Sequence, residues 1–361
     1  MEEGGIDSVH ILSINLPQKQ YSIMIKKNLL ADIGEHLHST YSNKKIAVVT
    51  DTTVDELYGT ILIDSLSNQG FLVTKVVIPA GEKSKSMGML EYLYSEFLDF
   101  KLSRSDLIIA FGGGVVGDLV GFAAATFLRG APYIQVPTTL LAQIDSSVGG
   151  KVAVNLPNGK NLIGTFYHPE AVYIDPALLT TLPLRVLRDG IAEAIKYSVI
   201  SETELFNNLN HYQDEQELLA NIESVIATCC QIKQKFVEED EKDTGVRMTL
   251  NFGHTIGHGI ENYFNYETYT HGEGVAIGMA HITEASEALG LTKPGTAAAL
   301  IELIKKYDLP ITAADYNRQA LLESITLDKK NANNNLHIIL LKSIGKTLIH
   351  KIKIDEMHLY L

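Results

Sequence analysis

The residues of this chain best suited to hold a metal ion are histidines in its second half. His254 and His258 stand four residues apart in the segment LNFGHTIGH, so on a helix they share one face, as metal-binding pairs do. His271 opens the segment HGEG, and Glu193 lies in the helix-favouring run IAEAIK, where a half-buried carboxylate needs a partner. Glu193 with two of these histidines would form the three-ligand set, with open coordination positions, of catalytic zinc sites. Spacing alone does not decide which histidine is the spare one.

Other interpretations of these histidines are weaker. Any one of them could be an ordinary surface or hydrogen-bonded residue, an explanation that fits His36, His38 or His281. The group of three near a glutamate favours a metal site instead. The segment also lacks the glutamate of the H-E-x-x-H motif, which argues against a zinc protease of the zincin class.

A glycine-rich turn in the first half has the residues for phosphate binding. A strand-like apolar run leads into Gly112, Gly114 and Gly117 in the order G-x-G-x-x-G, and an apolar helical pattern follows. Glycine lets backbone amides approach a pyrophosphate, and a helix N-terminus favours its negative charge. The match to a dinucleotide motif is incomplete, because no acidic residue between Asp118 and Asp145 could bind the ribose hydroxyls. A tight strand–helix turn would need the same small residues.

Charged residues at other strand ends could complete a nucleotide site. Asp51 follows a strand predicted at residues 46–50, and Glu82 and Lys85 follow one predicted at 72–78. Ligands of parallel α/β sheets lie beyond the carboxyl ends of the strands, so these side chains are candidates for ligand contacts.

Cations near these motifs predict a pocket for phosphate or carboxylate groups. They are Lys151, Lys160, Lys196, Lys233 and Arg247. A single lysine is usually a solvated surface charge, so the prediction depends on their clustering around the motifs.

Composition restricts the class of protein. With 361 residues, 45% of them hydrophobic and 20% charged, the chain is long enough for two globular domains. Its formal net charge of -13 argues against a general nucleic-acid or anionic-membrane binder. Cys229 and Cys230 are adjacent and make no disulfide framework, which fits a reducing compartment. The N-terminus has no apolar signal core and no run approaches the ~18 apolar residues of a membrane span, so we expect a cytoplasmic protein.

The apolar pattern changes near residue 175 and predicts two domains, at 1–175 and 176–361. Before the change, β-branched runs alternate with helical patterns, as in a parallel α/β sheet, with strands expected at 46–50, 72–78, 107–111, 133–136 and 172–174. After it, helical spacing dominates, with helices expected at 184–200, 215–236, 254–263 and 274–289. Two apolar runs within 336–354 predict a hairpin. The expected fold is an α/β domain followed by a mostly α-helical domain.

These motifs together resemble the 3-dehydroquinate synthase family of sugar-phosphate cyclases. The matching segments span nearly the whole chain in the family's order; they are GGGVVGD, VPTTLLAQIDSSVGGK, GKNLIG, GIAEAIKY, LNFGHTIGH, HGEGVAIGM and LDKK. The resemblance implies a Rossmann-like NAD-binding domain at 1–175, a helical metal- and substrate-binding domain at 176–361, a zinc or cobalt ion, and a homodimer. It also implies a carbon–oxygen lyase of the shikimate pathway that converts 3-deoxy-D-arabino-heptulosonate 7-phosphate to 3-dehydroquinate and phosphate. The implied route is transient oxidation with NAD, phosphate elimination, reduction and intramolecular aldol closure.

Positions of the family, carried over to this sequence, give each candidate residue a role. The resemblance makes Glu193, His254 and His271 the metal ligands and His258 a substrate contact. The positions that match NAD contacts are Asp51, Glu82, Lys85, Gly113, Gly114, Val115, Asp118, Thr138, Thr139, Lys160, Leu178, Leu179, Thr180 and Thr181. The positions that match substrate contacts are Asp145, Lys151, Asn161, Lys196, Lys233, Arg247, Asn251 and either Lys329 or Lys330. Arg129 matches an arginine that reaches the partner subunit's site.

Three alternatives to this function make different predictions. A related cyclase that forms an inosose or valiolone would keep NAD and zinc but alter pocket residues such as Asn161, Arg247 and Asn251, which here follow the dehydroquinate pattern. A metal-dependent polyol dehydrogenase would release its reduced nicotinamide and need no phosphate-binding lysines. A noncatalytic NAD-binding protein would have lost a metal ligand, whereas all three are present.

Two positions depart from the family's usual pattern. Val186 stands where glutamate is common, and Asn334 with Asn335 replaces a common glycine. Because Asn tolerates a left-handed backbone better than most residues, we expect a turn at the second place.

Overall fold

A computed structural model describes residues 9–201, 203–327 and 334–361, so the predicted phosphate contacts Lys329 and Lys330 lie outside the described residues. The chain divides into two compact units, Met1–Leu182 and Pro183–Leu361. None of the described helices is both long and apolar enough to cross a membrane.

The first unit is an α/β structure. Its strands are β1 (His10–Asn15), β2 (Gln20–Ile25), β3 (Lys45–Asp51), β4 (Leu72–Ile78), β5 (Leu107–Gly112), β6 (Tyr133–Pro137), β7 (Lys151–Leu156), β8 (Gly159–Phe166) and β9 (Ala171–Ile174). Seven of them form one sheet in the order β1-β2-β9-β6-β5-β3-β4, parallel except for the antiparallel edge pair β1 and β2. Strands β7 and β8 form a separate antiparallel hairpin.

Helices cover both faces of this sheet. They are α1 (Ile33–Tyr41), α2 (Thr52–Val54), α3 (Thr60–Asn68), α4 (Met87–Asp99) and α5 (Gly114–Thr126), with a π-helical segment, Asp55–Gly59, between α2 and α3. Strand β5 is buried along its whole length, because Ile108 packs in one apolar cluster while Leu107 and Ile109 pack in the other. A continuous apolar run is typical of a parallel strand that is covered on both faces.

The strand order reverses between β3 and β5. From β3 the chain passes to β4 on one side and then to β5, β6 and β9 on the other. A crevice opens beyond the carboxyl ends of two strands at such a switch point, and this is where α/β sheets bind ligands. Asp51 ends β3, and Gly112 ends β5.

The second unit is mostly helical. Its helices are α6 (Leu184–Ile200), α7 (Thr203–His211), α8 (Glu215–Ala220), α9 (Ile222–Glu239), α10 (His254–Tyr263), α11 (His271–Ala288), α12 (Thr296–Lys306) and α13 (Arg318–Leu327). A C-terminal hairpin consists of β10 (Asn335–Ser343) and β11 (Lys346–Lys353). These elements confirm the expected fold class.

Most predicted elements are confirmed, and two are corrected. The five predicted strands lie within one residue of β3, β4, β5, β6 and β9. The single helix predicted at 215–236 is wrong, because the chain bends at Asn221, whose side chain donates a hydrogen bond to the Glu217 carbonyl and closes α8. The helix predicted from residue 274 begins earlier, at His271, because Thr270 and Glu273 form a capping box. Asn334 has a left-handed backbone with φ 57°, as expected for a turn.

Candidate active site

Glu193 lies on the most deeply buried part of α6. All residues from Gly190 to Ile200 are buried, and the Glu193 side chain is fully shielded from solvent. A buried carboxylate is costly without a partner. Lys196, three residues later and 1% exposed, places its Nζ in ion-pair contact with the Glu193 carboxylate. The helix therefore carries a charged pair into the core of the second unit.

His254 is the first residue of α10 and is 8% exposed. Its Nδ1 lies 3.0 Å from the carbonyl oxygen of Phe252, and its Nε2 lies 3.4 Å from Glu193 Oε1. Because a carbonyl can only accept, Nδ1 carries the hydrogen and Nε2 presents its lone pair. Burial lowers the pKa of His254 to about 3. The ring is therefore neutral near pH 7, the form that binds metals.

His271 is the first residue of α11. Its Nε2 lies 3.5 Å from Glu193 Oε1, and its Nδ1 lies 3.3 Å from Glu261 Oε2. Burial acts to lower the pKa of His271, but hydrogen bonds with Glu193 and Glu261 outweigh it and raise that pKa well above its usual value. Two carboxylates thus hold one ring from opposite sides.

The side chains of Glu193, His254 and His271 fit a tetrahedral metal ion. One donor atom from each lies within 4.8 Å of the others. Donors bound at about 2.1 Å to a tetrahedral centre are about 3.4 Å apart, which matches the two histidine-to-Glu193 distances of 3.4 and 3.5 Å. Imidazole and carboxylate donors suit zinc or cobalt.

His258 lies beside this group rather than in it. Its side chain is exposed, and its ring centroid is 5.3 Å from that of His254 and 5.9 Å from that of His271. It belongs to a second candidate donor group with Glu261 and His271. The geometry thus favours His258 as the spare histidine.

Glycines allow the two histidine-bearing helices to pack closely. A Cβ placed on Gly278 of α11 would lie 2.0 Å from the carbonyl oxygen of Gly253, the residue that precedes His254. A Cβ on Gly257 of α10 would lie 2.9 Å from the backbone of Gly274. Contacts this short exclude any side chain, so backbone lies directly against backbone at the metal-binding ends of both helices.

One face of α6 binds the N-terminus of α11. Arg185 donates hydrogen bonds to Glu273 at 2.8 and 2.7 Å, and Asp189 accepts one from the backbone N–H of Gly272. Arg185, Asp189 and Glu193 are spaced by four residues and therefore share a helix face. Burial raises the pKa of Asp189, although its contacts with His271, Thr270 and Gly272 oppose the rise. This face fixes the position of His271 relative to Glu193.

In the first unit, the glycine turn after β5 lies against other predicted nucleotide contacts. A Cβ on Gly113 would lie 3.1 Å from the Thr139 side chain, and one on Gly114 would lie 3.1 Å from Ser146 Oγ. A Cβ on Gly117 would lie 2.8 Å from Gln135 Oε1 on β6. The absence of side chains therefore lets the start of α5 approach the sheet and the chain beyond β6.

Lys85, Asp118 and Asn161 meet in one polar cluster. Lys85 is 5% exposed, and its Nζ donates to Asp118 Oδ2 and to Asn161 Oδ1. Asn161 adopts a left-handed φ of 58° at this point. The neighbouring Glu82 accepts a hydrogen bond from Asn155 at 2.7 Å. Residues far apart in sequence thus form one polar cluster around the buried Lys85.

The segment with Leu178, Leu179, Thr180 and Thr181 lies near the end of β3. The hydroxyl of Tyr58 donates to the Leu178 carbonyl at 3.2 Å and lies 2.7 Å from Thr181 Oγ1. Asp51 accepts hydrogen bonds from the backbone N–H groups of Thr53 and Val54. Asp51 therefore caps a helix, a role that the sequence did not reveal.

The remaining predicted contacts differ in burial. Lys233 and Arg247 are buried in the second unit, at 7% and 2% exposure, and Thr138 is buried in the first. Half-buried side chains are those of Val115, Asp145, Lys160 and Asn251; exposed ones are those of Arg129 and Lys151. Arg247 donates from Nη1 to the Glu241 carbonyl at 2.6 Å and from its backbone to Asp240 at 3.1 Å, so its position is fixed from two sides.

Two residues of the metal-binding region were missed from sequence. Asp189 lies one helical turn before Glu193, and Glu261 lies seven residues after His254. Both spacings bring the residue to the same helix face as a predicted ligand. This helical periodicity is the sequence signal that could have found Asp189 and Glu261.

Comparisons with known proteins identify the family of this chain. The family models described as 3-dehydroquinate synthase N-terminal and C-terminal match residues 75–189 and 190–331. A 3-dehydroquinate synthase of Clostridium acetobutylicum is 51% identical over 350 residues, which cover 97% of this chain and 98% of that protein.

Solved structures share the fold of this chain. A 2-epi-5-epi-valiolone synthase of Streptomyces hygroscopicus subsp. jinggangensis, with NAD+ and Zn2+ bound, has a TM-score of 0.86 at 26% identity and covers 95% of this chain and 96% of its own. A 2-deoxy-scyllo-inosose synthase shares the fold, with a TM-score of 0.88 at 23% identity over 97% of this chain and 99% of its own. Because both family models and the relatives match it, the chain belongs to the 3-dehydroquinate synthase family.

Proposed function

We propose that this chain converts 3-deoxy-D-arabino-heptulosonate 7-phosphate to 3-dehydroquinate and phosphate, with NAD and a zinc or cobalt ion as cofactors. The convergence of Glu193, His254 and His271, with donor atoms within 4.8 Å of one another, carries the proposal. Family membership names the reaction, because relatives about half identical over nearly the whole chain are 3-dehydroquinate synthases.

Glu193, His254 and His271 hold the metal, and the strand-end residues of the first unit hold NAD. When bound, the metal lowers the pKa of an alcohol and polarises a carbonyl, and NAD takes up and returns a hydride. His254 presents Nε2 because the Phe252 carbonyl occupies its Nδ1. The glycine turn presents backbone N–H groups and the N-terminus of α5 to the pyrophosphate.

Cationic side chains bind the substrate's carboxylate and phosphate. In the second unit these are Lys196, Lys233 and Arg247, all buried, so water screens their charge less than at a surface. Arg247 is already held by Asp240 and Glu241, so little ordering is needed when an anion binds. Asn251 and the exposed His258 add hydrogen bonds to the substrate. Lys329 or Lys330 adds a further cation.

We propose further that the protein is a cytoplasmic homodimer in which Arg129 reaches the partner's site. Arg129 is exposed and left-handed, with φ 66°, directly beyond α5. The cysteines are buried thiols, in keeping with a reducing compartment. Mixing Arg129→Ala with His271→Ala subunits tests this arrangement. Hybrid dimers should regain activity that neither variant has alone, and a mixture that stays inactive contradicts the shared site.

Phosphate release tests the reaction. Purified, zinc-loaded protein with substoichiometric NAD should release many phosphates per NAD from the heptulosonate phosphate and little from glucose 6-phosphate. His271→Ala should lose both turnover and bound metal, whereas His281→Ala, a histidine of the same helix outside the metal group, should keep both. No phosphate release, or NADH accumulation in step with turnover as in a polyol dehydrogenase, contradicts the proposal.

A further inference from the structure

The ring of His271 lies between two carboxylates, and in the neutral form that binds a metal only one of them can accept its single N–H. Nε2 faces Glu193 at 3.5 Å, and Nδ1 faces Glu261 at 3.3 Å. A neutral imidazole has one N–H and one lone pair, so it can donate to only one of them. Only the unprotonated nitrogen can bind a metal. The acceptor that takes the N–H therefore decides whether Nε2 is available beside Glu193.

In His254 a backbone carbonyl determines which ring nitrogen carries the hydrogen. Its Nδ1 faces the Phe252 carbonyl at 3.0 Å, an acceptor that no side-chain substitution removes. His271 has a side-chain acceptor in the corresponding place. Glu261 lies two helical turns beyond His254 on α10 and is 4% exposed, so the folded helix brings it to the Nδ1 side of His271.

We propose that Glu261 is the positioning residue that accepts the Nδ1–H of His271 and so turns Nε2 toward Glu193 and His254. The inference rests on the proposed metal site and deepens it. The Glu193 carboxylate is already in ion-pair contact with Lys196, so it does not need the His271 N–H as a partner. A carboxylate acceptor fixes the tautomer and raises the basicity of a metal-binding imidazole, and its loss weakens metal binding by about 10–100-fold.

The same side chains could serve instead as a second metal site. His258, Glu261 and His271 offer donor atoms within 4.8 Å of one another. That arrangement would require Nδ1 of His271 to lose its hydrogen, so the two possibilities exclude each other. Zinc stoichiometry separates them, because a positioning role gives one zinc per chain and a second site gives two.

The experiment measures Zn2+ affinity by competition with a chromophoric chelator and the visible spectrum of the Co2+ form. Glu261→Met should bind Zn2+ about 10–100-fold more weakly than wild type. Glu261→Gln keeps an acceptor oxygen without the charge, so its Zn2+ affinity should lie between those of wild type and Glu261→Met, with shifted Co2+ bands. The exposed Glu267, six residues later, supplies the control, and Glu267→Gln should match wild type in both measurements.

Partial rescue by glutamine separates a positioning role from simple structural support. A purely structural role would change the urea midpoint, but it would not give zinc affinities that fall in the order wild type, Glu261→Gln, Glu261→Met. The proposal is overturned if Glu261→Met binds Zn2+ within about threefold of wild type, if Glu261→Gln is identical to wild type in affinity and spectrum, or if wild type binds two zinc ions. Should Glu261→Met fail to fold, the isosteric Glu261→Gln still decides. Full zinc retention by His271→Ala would instead refute the metal site itself, a distinct failure.

Discussion

Substitution of Gly278 by alanine should weaken metal binding without touching a ligand. The new Cβ would lie 2.0 Å from the Gly253 carbonyl oxygen, whereas real contacts are essentially never under 3.0 Å, so the backbones must separate by about 1 Å. Gly253 precedes His254, whose Nε2 is 3.4 Å from Glu193. A functional site tolerates shifts of only about 0.5 Å, so we expect Zn2+ affinity to fall about tenfold or more.

Stability should fall as well. Overpacking a tight contact costs about 1–3 kcal/mol, and the better helix propensity of alanine returns about 1 kcal/mol. The expected net loss is therefore up to about 2 kcal/mol. Urea unfolding in EDTA measures it, because bound metal would add its own stabilisation to the folded state.

Two other glycines provide a graded comparison. A Cβ on Gly274 would lie 3.1 Å from the Gly257 carbonyl oxygen, and one on Gly88 of α4 has nothing within 4 Å. We therefore expect a smaller loss for Gly274→Ala and a neutral or slightly stabilising effect for Gly88→Ala. If Gly278→Ala keeps wild-type zinc affinity and stability, the close helix contact does not position His254, and the reasoning is refuted.

Three further predictions concern charge. The pKa of His254 is about 3 in the folded state and about 6.5 in the unfolded state, so the folded protein loses stability as the pH falls below 6.5. Between pH 7 and pH 5, EDTA-treated wild type should lose about 2 kcal/mol more unfolding free energy than His254→Asn does. Equal losses in urea titrations of the two proteins would contradict this prediction. Asp189→Ala leaves the Gly272 N–H without its carboxylate acceptor and should cost about 1–2 kcal/mol of unfolding free energy, whereas a change under about 0.3 kcal/mol would show that the contact is unimportant. Lys85→Met removes the ammonium group that contacts Asp118, so it should cost about 2 kcal/mol of unfolding free energy and weaken NAD binding in a fluorescence titration. Unchanged NAD affinity would remove Lys85 from the nucleotide site.

Local sequence patterns were sufficient for most of the fold. Strand β5 and the helix that begins at His254 follow from apolar periodicity and from the glycines beside them. The patterns fail where local signals are weak. Strand β8 is mostly exposed, so it lacks the alternation that marks a half-buried strand. The bend at Asn221, where a side-chain hydrogen bond and the backbone N–H both cap α8, interrupts an otherwise helical pattern.

The sequence by itself determined the types of the chemical groups, namely one buried carboxylate, histidines at helical spacing and a glycine turn after a strand. Only the tertiary structure decided which of them meet. Asp189 contacts Gly272 across 83 residues, and Lys85 contacts Asn161 across 76. Helical and strand periodicity act over a few residues, whereas these contacts depend on how whole elements pack. For the same reason, spacing leaves the choice among the three histidines open. The folded structure favours His254 and His271, because their Nε2 atoms lie 3.4 and 3.5 Å from Glu193 Oε1.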